Sequence, residues 1–99
     1  MEIKELQNKS TEIIDKIDEK LNVKHNNENT LIHLTEELGE IARQINNKNI
    51  RNVEQNIDNI AEEIADVILI INKLASNYNI DVEKAIKEKL EKLKQRHNL

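Results

Sequence analysis

The chain has 99 residues with one Gly, no Pro, no Cys and a single aromatic residue, and its formal net charge at neutral pH is −4. The scarcity of Gly and Pro excludes a many-stranded β fold with tight turns, and the absence of Cys excludes disulfides and thiolate metal sites. One aromatic side chain and an acidic balance argue against base stacking, so we expect no nucleic-acid partner.

Apolar residues at helical intervals predict the first two elements as helices. The first helix runs from about Glu2 to Leu21, and a polar loop, Asn22–Asn29, follows it. The second helix runs from about Thr30 to Asn46, with a stripe of Leu and Ile at spacings of three and four residues.

Two further helices are predicted in the second half. Asn46–Asn49 is the predicted turn into a third helix, from about Val53 to Tyr78. Asp81 is a suitable N-cap for a fourth helix with a charged end. The fold class is therefore predicted to be all-α, a four-helix chain in which the second and third helices form an antiparallel hairpin.

The composition also predicts where the protein works and how it assembles. The longest apolar run, residues 67–71, is too short to cross a membrane, and Glu2 and Glu5 interrupt the start in a way unlike a signal peptide. We expect one cytoplasmic domain, residues 1–99, with no membrane partner. Only 37% of the residues are apolar, so a core this lean predicts that neighbouring subunits supply some of the burial.

An acidic residue, Asp66, lies within the otherwise apolar run 64–71 of the third helix. A helix that is apolar on nearly every side is normally enclosed by partners, and an isolated carboxylate is costly to bury unless it is paired or binds a metal. Helical spacing puts Glu63 on the same face as Asp66, and the second helix repeats this arrangement with Glu37 and Glu40.

An antiparallel hairpin places these two acidic pairs opposite each other, because their midpoint in the sequence is close to the predicted turn. Four carboxylates on an apolar background repel one another. Raised pKa values, basic counter-ions or a bound hard cation would each relieve the repulsion. The one basic residue next to either pair is Arg43, so we favour a metal ion, Mg²⁺ or Mn²⁺.

Other candidate residues are less specific. His33 lies one turn before Glu37 and is a candidate substrate contact, although a partly exposed surface His gives the same pattern. The basic residues of the fourth helix are typical of a solvated surface, from which one or two could reach a phosphate. No Ser or Thr has the neighbours of a nucleophile, so the sequence offers no candidate for covalent catalysis.

The segment Glu36-Glu37-Leu38-Gly39-Glu40, followed by Glu62-Glu63-Ile64-Ala65-Asp66, closely resembles the paired motif of MazG-like nucleoside triphosphate pyrophosphohydrolases. These proteins belong to the all-α NTP pyrophosphatase superfamily, and their motif is Glu-x-x-Glu, a helical interval, then Glu-x-x-Asp. The flanking segments are also similar, over about residues 31–97. The resemblance implies an all-α fold that assembles as a homodimer or homotetramer.

The resemblance also implies roles for particular residues. The implied ligands of Mg²⁺, with Mn²⁺ as a substitute, are Glu37, Glu40, Glu63 and Asp66. The implied catalytic residues are Glu36, Glu37 and Glu63. The implied substrate-binding residues are Lys89, Lys92 and Arg96, to which the helix position of His33 adds a fourth candidate. The chain departs from the family pattern at Leu93 and His97, where relatives often have Asn and Tyr, and it lacks aromatic residues that stack on the base in some relatives.

The activity implied by the resemblance is Mg²⁺-dependent hydrolysis of nucleoside triphosphates, including non-standard or deoxy ones. Water attacks the α-phosphorus and the products are nucleoside monophosphate and pyrophosphate. The alternative is a non-catalytic interaction or regulatory module that retains a nucleotide- or metal-binding acidic site. A purely structural bundle is a third hypothesis, in which removing the carboxylates would raise stability.

Overall fold

The structure, a computed structural model, describes all 99 residues and contains four α-helices and no strand. The helices are α1 (Ile3–Leu21), α2 (Asn27–Arg51), α3 (Ile57–Asn77) and α4 (Val82–His97). The prediction of an all-α, four-helix chain is confirmed. None of these helices combines the length and the hydrophobicity that crossing a membrane requires.

The central helix is α3, which contacts both α2 and α1. α2 and α3 form the predicted hairpin. The antiparallel register of α1 against α3 is fixed by Lys73, whose Nζ is 2.7 Å from Asp15 Oδ1, and by Thr11, whose Oγ1 donates to Ser76 Oγ at 2.8 Å. Two helices, α1 and α2, therefore pack against α3.

The position of α4 is set by Gln7, a buried side chain of α1. Its Nε2 donates to Ile80 O at 2.7 Å, and its Oε1 accepts from Val82 N–H at 3.0 Å. Asp81 caps α4 as predicted, because its Oδ1 accepts from Lys84 N–H at 3.1 Å. These bonds hold the start of α4 against α1, and no residue of α4 is buried.

The connection between α2 and α3 is residues 52–56, so its prediction at Asn46–Asn49 is wrong. α2 ends at Asn52, which has φ 54° and ψ 35°. Val53 N–H donates to Asn47 O at 3.0 Å, and this bond closes the helix end. Asn tolerates this left-handed conformation better than most residues, and the segment offers several Asn residues, so composition alone does not select the one that ends the helix.

The starts of α2 and α3 also differ from the prediction, for the same reason. Asn26 Oδ1 accepts from Asn29 N–H at 2.8 Å, so α2 begins at Asn27 and not at Thr30. Asn56 Oδ1 accepts from Asn59 N–H at 3.1 Å, so α3 begins at Ile57 and not at Val53. In both cases an Asn side chain satisfies a backbone donor of the first turn.

The single chain has a very small core. Eight of its 99 residues are buried, and only Leu34 and Ile70 among them are apolar. Along the outer face of α3, Ile64, Ile68 and Ile71 are each 43–46% exposed. The lean core predicted from the composition is therefore present, and much apolar surface is left uncovered.

Asp66 is exposed in the single chain, contrary to the expectation of an enclosed acid. Pairing Asp15 with Lys73 in an antiparallel register places Asp66 opposite the residue after Leu21, where α1 ends. Because no further turn of α1 covers it, the carboxylate lies at an open edge. The neighbouring helix that can supply side chains to this carboxylate is therefore α2.

Candidate metal centre

Three carboxylates from α2 and α3 meet in the structure. One oxygen from each of Glu37, Glu63 and Asp66 lies within 4.8 Å of the other two. The antiparallel hairpin brings Glu37 across to Glu63, and the i,i+3 spacing adds Asp66 on the same face of α3. Carboxylate oxygens in such a group match the ligands that a hard divalent cation prefers.

Glu63 is the least satisfied member of this acidic cluster. Its Oε2 is buried and has no hydrogen-bond partner. A hydrogen bond with Glu37, removal from water and the negative charge of Glu37 raise the pKa of Glu63 above its ordinary value of 4.5, and the nearby charge of Arg43 opposes the rise. A proton or a metal ion would satisfy this oxygen, so the donor set fits a bound divalent cation.

Glu40, the fourth predicted ligand, lies outside the cluster. Its Oε2 accepts a hydrogen bond from Arg43 Nη2 at 2.6 Å, and both side chains are exposed. Glu36, predicted to be catalytic, is an exposed residue of α2 that is also outside the cluster. The structure thus brings together three of the four predicted ligands.

His33 lies beside the cluster, as its position one turn before Glu37 predicts. Its Nε2 is 3.3 Å from Glu37 Oε1, and its side chain is half-buried. With Nε2 protonated, the imidazole donates to the carboxylate. This contact restrains the orientation of a candidate metal ligand.

A cavity of about 260 Å³ opens beside the cluster, between α1, α2 and α3. Glu37 and Asp66 form one edge of it, so the cavity and the cluster are continuous. The walls are aliphatic and come from α1 and α3, namely Ile13, Ile14, Ile17, Leu69 and Ile70. A ligand in the cavity could place a charged group at the acidic edge and an apolar or flat group between the aliphatic walls.

The polar lining of the cavity includes residues that the sequence did not single out. Asp18 is buried, and its two oxygens accept from His25, Oδ2 from the backbone N–H at 3.1 Å and Oδ1 from Nδ1 at 2.7 Å. The His25 ring stacks on His33, with centroids 5.7 Å apart and an interplanar angle of 25°. His25 lies in a segment interpreted only as a polar loop, and its partners become visible only once α1 and α2 are placed.

Lys73 also lines the cavity, and its residue is only 9% exposed. The sequence did carry a signal for this residue. A Lys that continues the spacing of Asp66 and Ile70 along an apolar helix must lie on the inner face of that helix, where it needs a partner. That partner is Asp15 of α1.

The three basic residues predicted to bind substrate do not line the cavity. Lys89, Lys92 and Arg96 are exposed on α4, the helix that contacts α1. The single chain therefore keeps them apart from the acidic cluster.

The comparisons with known proteins identify one family. Residues 25–99 match the family model of the MazG nucleotide pyrophosphohydrolase domain. The match begins after α1 and includes the whole of α2, α3 and α4, and with them both acidic motifs. No curated protein and no solved structure matches the chain significantly.

Proposed function

Because this chain belongs to the MazG nucleotide pyrophosphohydrolase family, we propose that it hydrolyses nucleoside triphosphates, including non-standard or deoxy ones, to nucleoside monophosphate and pyrophosphate. The observation that supports this most strongly is the convergence of Glu37, Glu63 and Asp66 at the edge of a cavity. The triphosphate would lie at the acidic edge, and the nucleoside would enter the cavity.

The acidic cluster is proposed to hold Mg²⁺, with Mn²⁺ as a substitute, and the unpartnered Oε2 of Glu63 supports this. When bound, such an ion neutralises charge on the triphosphate oxygens and lowers the pKa of an attacking water molecule. Glu40 is the fourth proposed ligand, one turn beyond Glu37. Its ion pair with Arg43 is exposed and contributes about 1 kcal/mol or less, so it can be exchanged for a cation.

The chain's own residues have further proposed roles around the reacting phosphate. Glu37 and Glu63 orient the attacking water and accept its proton at a carboxylate oxygen that is not engaged in binding the metal. His33 keeps Glu37 in place through its Nε2. Glu36, exposed next to Glu37 in the sequence, is proposed to assist the cluster without belonging to it.

Positive charge and assembly complete the proposal. Lys89, Lys92 and Arg96 add positive charge that attracts the triphosphate, an effect that does not require them to line the cavity. We further propose a homodimer or homotetramer, because twenty large apolar side chains are exposed in the single chain. A soluble monomer rarely exposes so much apolar surface without a partner.

Phosphorus NMR of the purified protein tests this function. The protein is incubated with a panel of ribo- and deoxynucleoside triphosphates, with Mg²⁺ or with EDTA. Monophosphate and pyrophosphate, formed only with the metal, are expected. Diphosphate and orthophosphate would mean attack at the γ-phosphorus and contradict the proposal, and binding of Mg²⁺ and nucleotide without any product would favour the non-catalytic module.

A further inference from the structure

The cavity beside the acidic cluster has a single cationic side chain in its lining, Lys73. It lies seven positions, or nearly two helical turns, after Asp66 on the same face of α3, which corresponds to about 10 Å along the helix axis. Asp66 marks the end of the cavity where the phosphates are proposed to bind. Lys73 therefore marks the opposite end, where the edge of a nucleobase farthest from the phosphates would lie.

Lys73 is held in place but retains hydrogen-bonding capacity. Its Nζ donates to Asp15 Oδ1 at 2.7 Å, and the side chain is 11% exposed. An ammonium group has three N–H donors and no acceptor, so two donors remain for a ligand. The contact with Asp15 fixes the position of the ammonium group.

Asp18 and Thr30, which also line this end of the cavity, already have hydrogen-bond partners. Both oxygens of Asp18 accept from His25, and Thr30 Oγ1 donates to Asn26 O at 2.6 Å. The aliphatic walls offer no polar atoms. Lys73 therefore offers two unused N–H donors at this end of the cavity, and a ligand atom that meets it should be an acceptor.

We propose that Lys73 is a specificity-determining residue that donates a hydrogen bond to the carbonyl oxygen on the distal edge of a nucleobase. This inference rests on the proposed function. Uracil and thymine carry such an oxygen at C4, and guanine and hypoxanthine carry one at C6. Cytosine and adenine carry an amino group at these positions, which would set N–H donors against the ammonium group and leave both without an acceptor.

The size of the cavity is consistent with this assignment. Its volume of about 260 Å³ is below the range of about 300–1,000 Å³ that is usual for whole drug-sized ligands. The cavity therefore suits the base and part of the sugar, and the triphosphate remains at the acidic edge. A flat base between aliphatic walls gains apolar contact on both faces without needing an aromatic side chain.

The test is the ratio of kcat/KM for dUTP to that for dCTP, with dGTP against dATP as a second pair, in the wild type and in Lys73→Met. We expect the wild type to prefer the oxo base by about 10- to 100-fold, the range for one hydrogen bond to a charged group, and Lys73→Met to bring the ratio close to one. Lys16→Met, which removes an exposed Lys of α1, should keep the wild-type ratio. A ratio that is the same in the wild type and in Lys73→Met overturns the inference.

A second variant and a second readout keep the test decisive if Lys73→Met does not fold. Asp15→Asn removes the negative charge beside Lys73 at a side chain that is 57% exposed, but it keeps an amide oxygen that can accept from Nζ, so the chain should fold and keep its preference. A kcat/KM ratio that falls close to one in Asp15→Asn contradicts the assignment. Dissociation constants of dUMP and dCMP, measured by calorimetry without metal, report base selectivity independently of turnover.

The same experiments separate this inference from the proposed function. If no triphosphate is hydrolysed but dUMP binds at least about 10-fold more tightly than dCMP, and only while Lys73 is present, the proposed function fails and the role of Lys73 stands. If all triphosphates are hydrolysed at similar rates, the proposed function stands and the role of Lys73 fails. A Lys73→Met variant that only loses stability, with the ratio unchanged, would show that the contact with Asp15 is structural.

Discussion

Glu37 of α2 and Glu63 of α3 are 26 positions apart in the sequence, yet their carboxylates belong to one group whose oxygens lie within 4.8 Å of one another. In the absence of a cation, this proximity is unfavourable unless one of the two carboxyls is protonated. The pKa of Glu63 is raised for this reason. Protons and metal ions should therefore compete for the same oxygens.

Glu63→Gln is expected to abolish stabilisation of the protein by Mg²⁺. At a Mg²⁺ concentration of 100 times its dissociation constant, the wild type should gain about 2.7 kcal/mol, or roughly 10–20 °C in Tm for a domain of this size. Glu62→Gln is the matched control, because Glu62 is the neighbouring exposed acid outside the cluster. Thermal unfolding with Mg²⁺ and with EDTA makes the comparison, and an equal gain in Glu63→Gln would contradict the ligand assignment.

The metal-free protein should lose stability as the pH rises through the range just above 4.5, the ordinary pKa of Glu63. Because the folded chain raises this pKa, it holds more protons than the unfolded chain between the ordinary and the raised value, so deprotonation disfavours folding. Mg²⁺ should reverse the slope, since the metal binds the deprotonated carboxylates.

Urea unfolding in EDTA from about pH 4.5 to about pH 7 measures this slope. Other acids contribute to the slope, so the informative quantity is the difference in unfolding free energy between the wild type and Glu37→Gln. This substitution removes the charge that raises the pKa of Glu63. If this difference in unfolding free energy stays constant across the pH range, the carboxyls of Glu37 and Glu63 do not interact.

The hairpin of α2 and α3 could be predicted from the sequence, but its loop could not be placed. The two acidic pairs lie on either side of a midpoint in the sequence, and this midpoint gives the approximate position of the hairpin connection if the helices are antiparallel. Placing the loop requires a choice among Asn46, Asn47, Asn49 and Asn52, each of which can adopt the left-handed conformation. Of these four only Asn52 adopts it in the structure, and that choice depends on backbone hydrogen bonds that the sequence does not specify.

The acidic cluster was predictable because it follows from the periods of two helices. Glu40 shows the limit of that reasoning. It shares a helix face with Glu37, but its side chain pairs with Arg43 one turn further on, and face geometry alone does not choose between the two partners. The cavity residues Asp18 and His25 depend on how α1 packs against the hairpin, which no local pattern reveals.

Asp18→Ala is expected to destabilise the fold by about 1–3 kcal/mol, which corresponds to about 4–8 °C in Tm for each kcal/mol. Asp18 is buried, and its removal leaves the His25 backbone N–H and ring nitrogen without their acceptor. Glu19→Ala, at the next and exposed position of α1, should change the unfolding free energy by about 0.5 kcal/mol or less. Urea unfolding without nucleotide measures both variants, and equal effects would mean that the Asp18–His25 contact contributes nothing to stability.

Replacing Lys89, Lys92 and Arg96 together by Gln is expected to raise KM for a triphosphate at low salt and to leave it nearly unchanged at high salt, because these side chains act through long-range attraction. The matched control replaces Lys84, Lys87 and Lys94 by Gln, which removes the same charge from the same helix. Steady-state kinetics at low and high salt separate the two effects, because long-range attraction is screened by salt. The two triple variants should have similar effects, and a larger rise in KM for the Lys89, Lys92 and Arg96 variant that persists at high salt would contradict this and indicate direct contact with phosphate.

Self-association of the chain is expected to depend on the outer face of α3, where Ile64, Ile68 and Ile71 lie at spacings of four and three residues and are each 43–46% exposed. Sedimentation velocity should show a species heavier than the 11.6 kDa chain. Ile68→Lys should shift it towards the monomer, because burying one Ile side chain contributes about 1.5–3 kcal/mol, or about 10- to 100-fold in the association constant. Ile50→Lys, at a 77% exposed position near the end of α2, is the control for an added charge and should leave the mass unchanged. A wild type that sediments as a monomer, or an equal mass for Ile68→Lys, would mean that this face is not an interface.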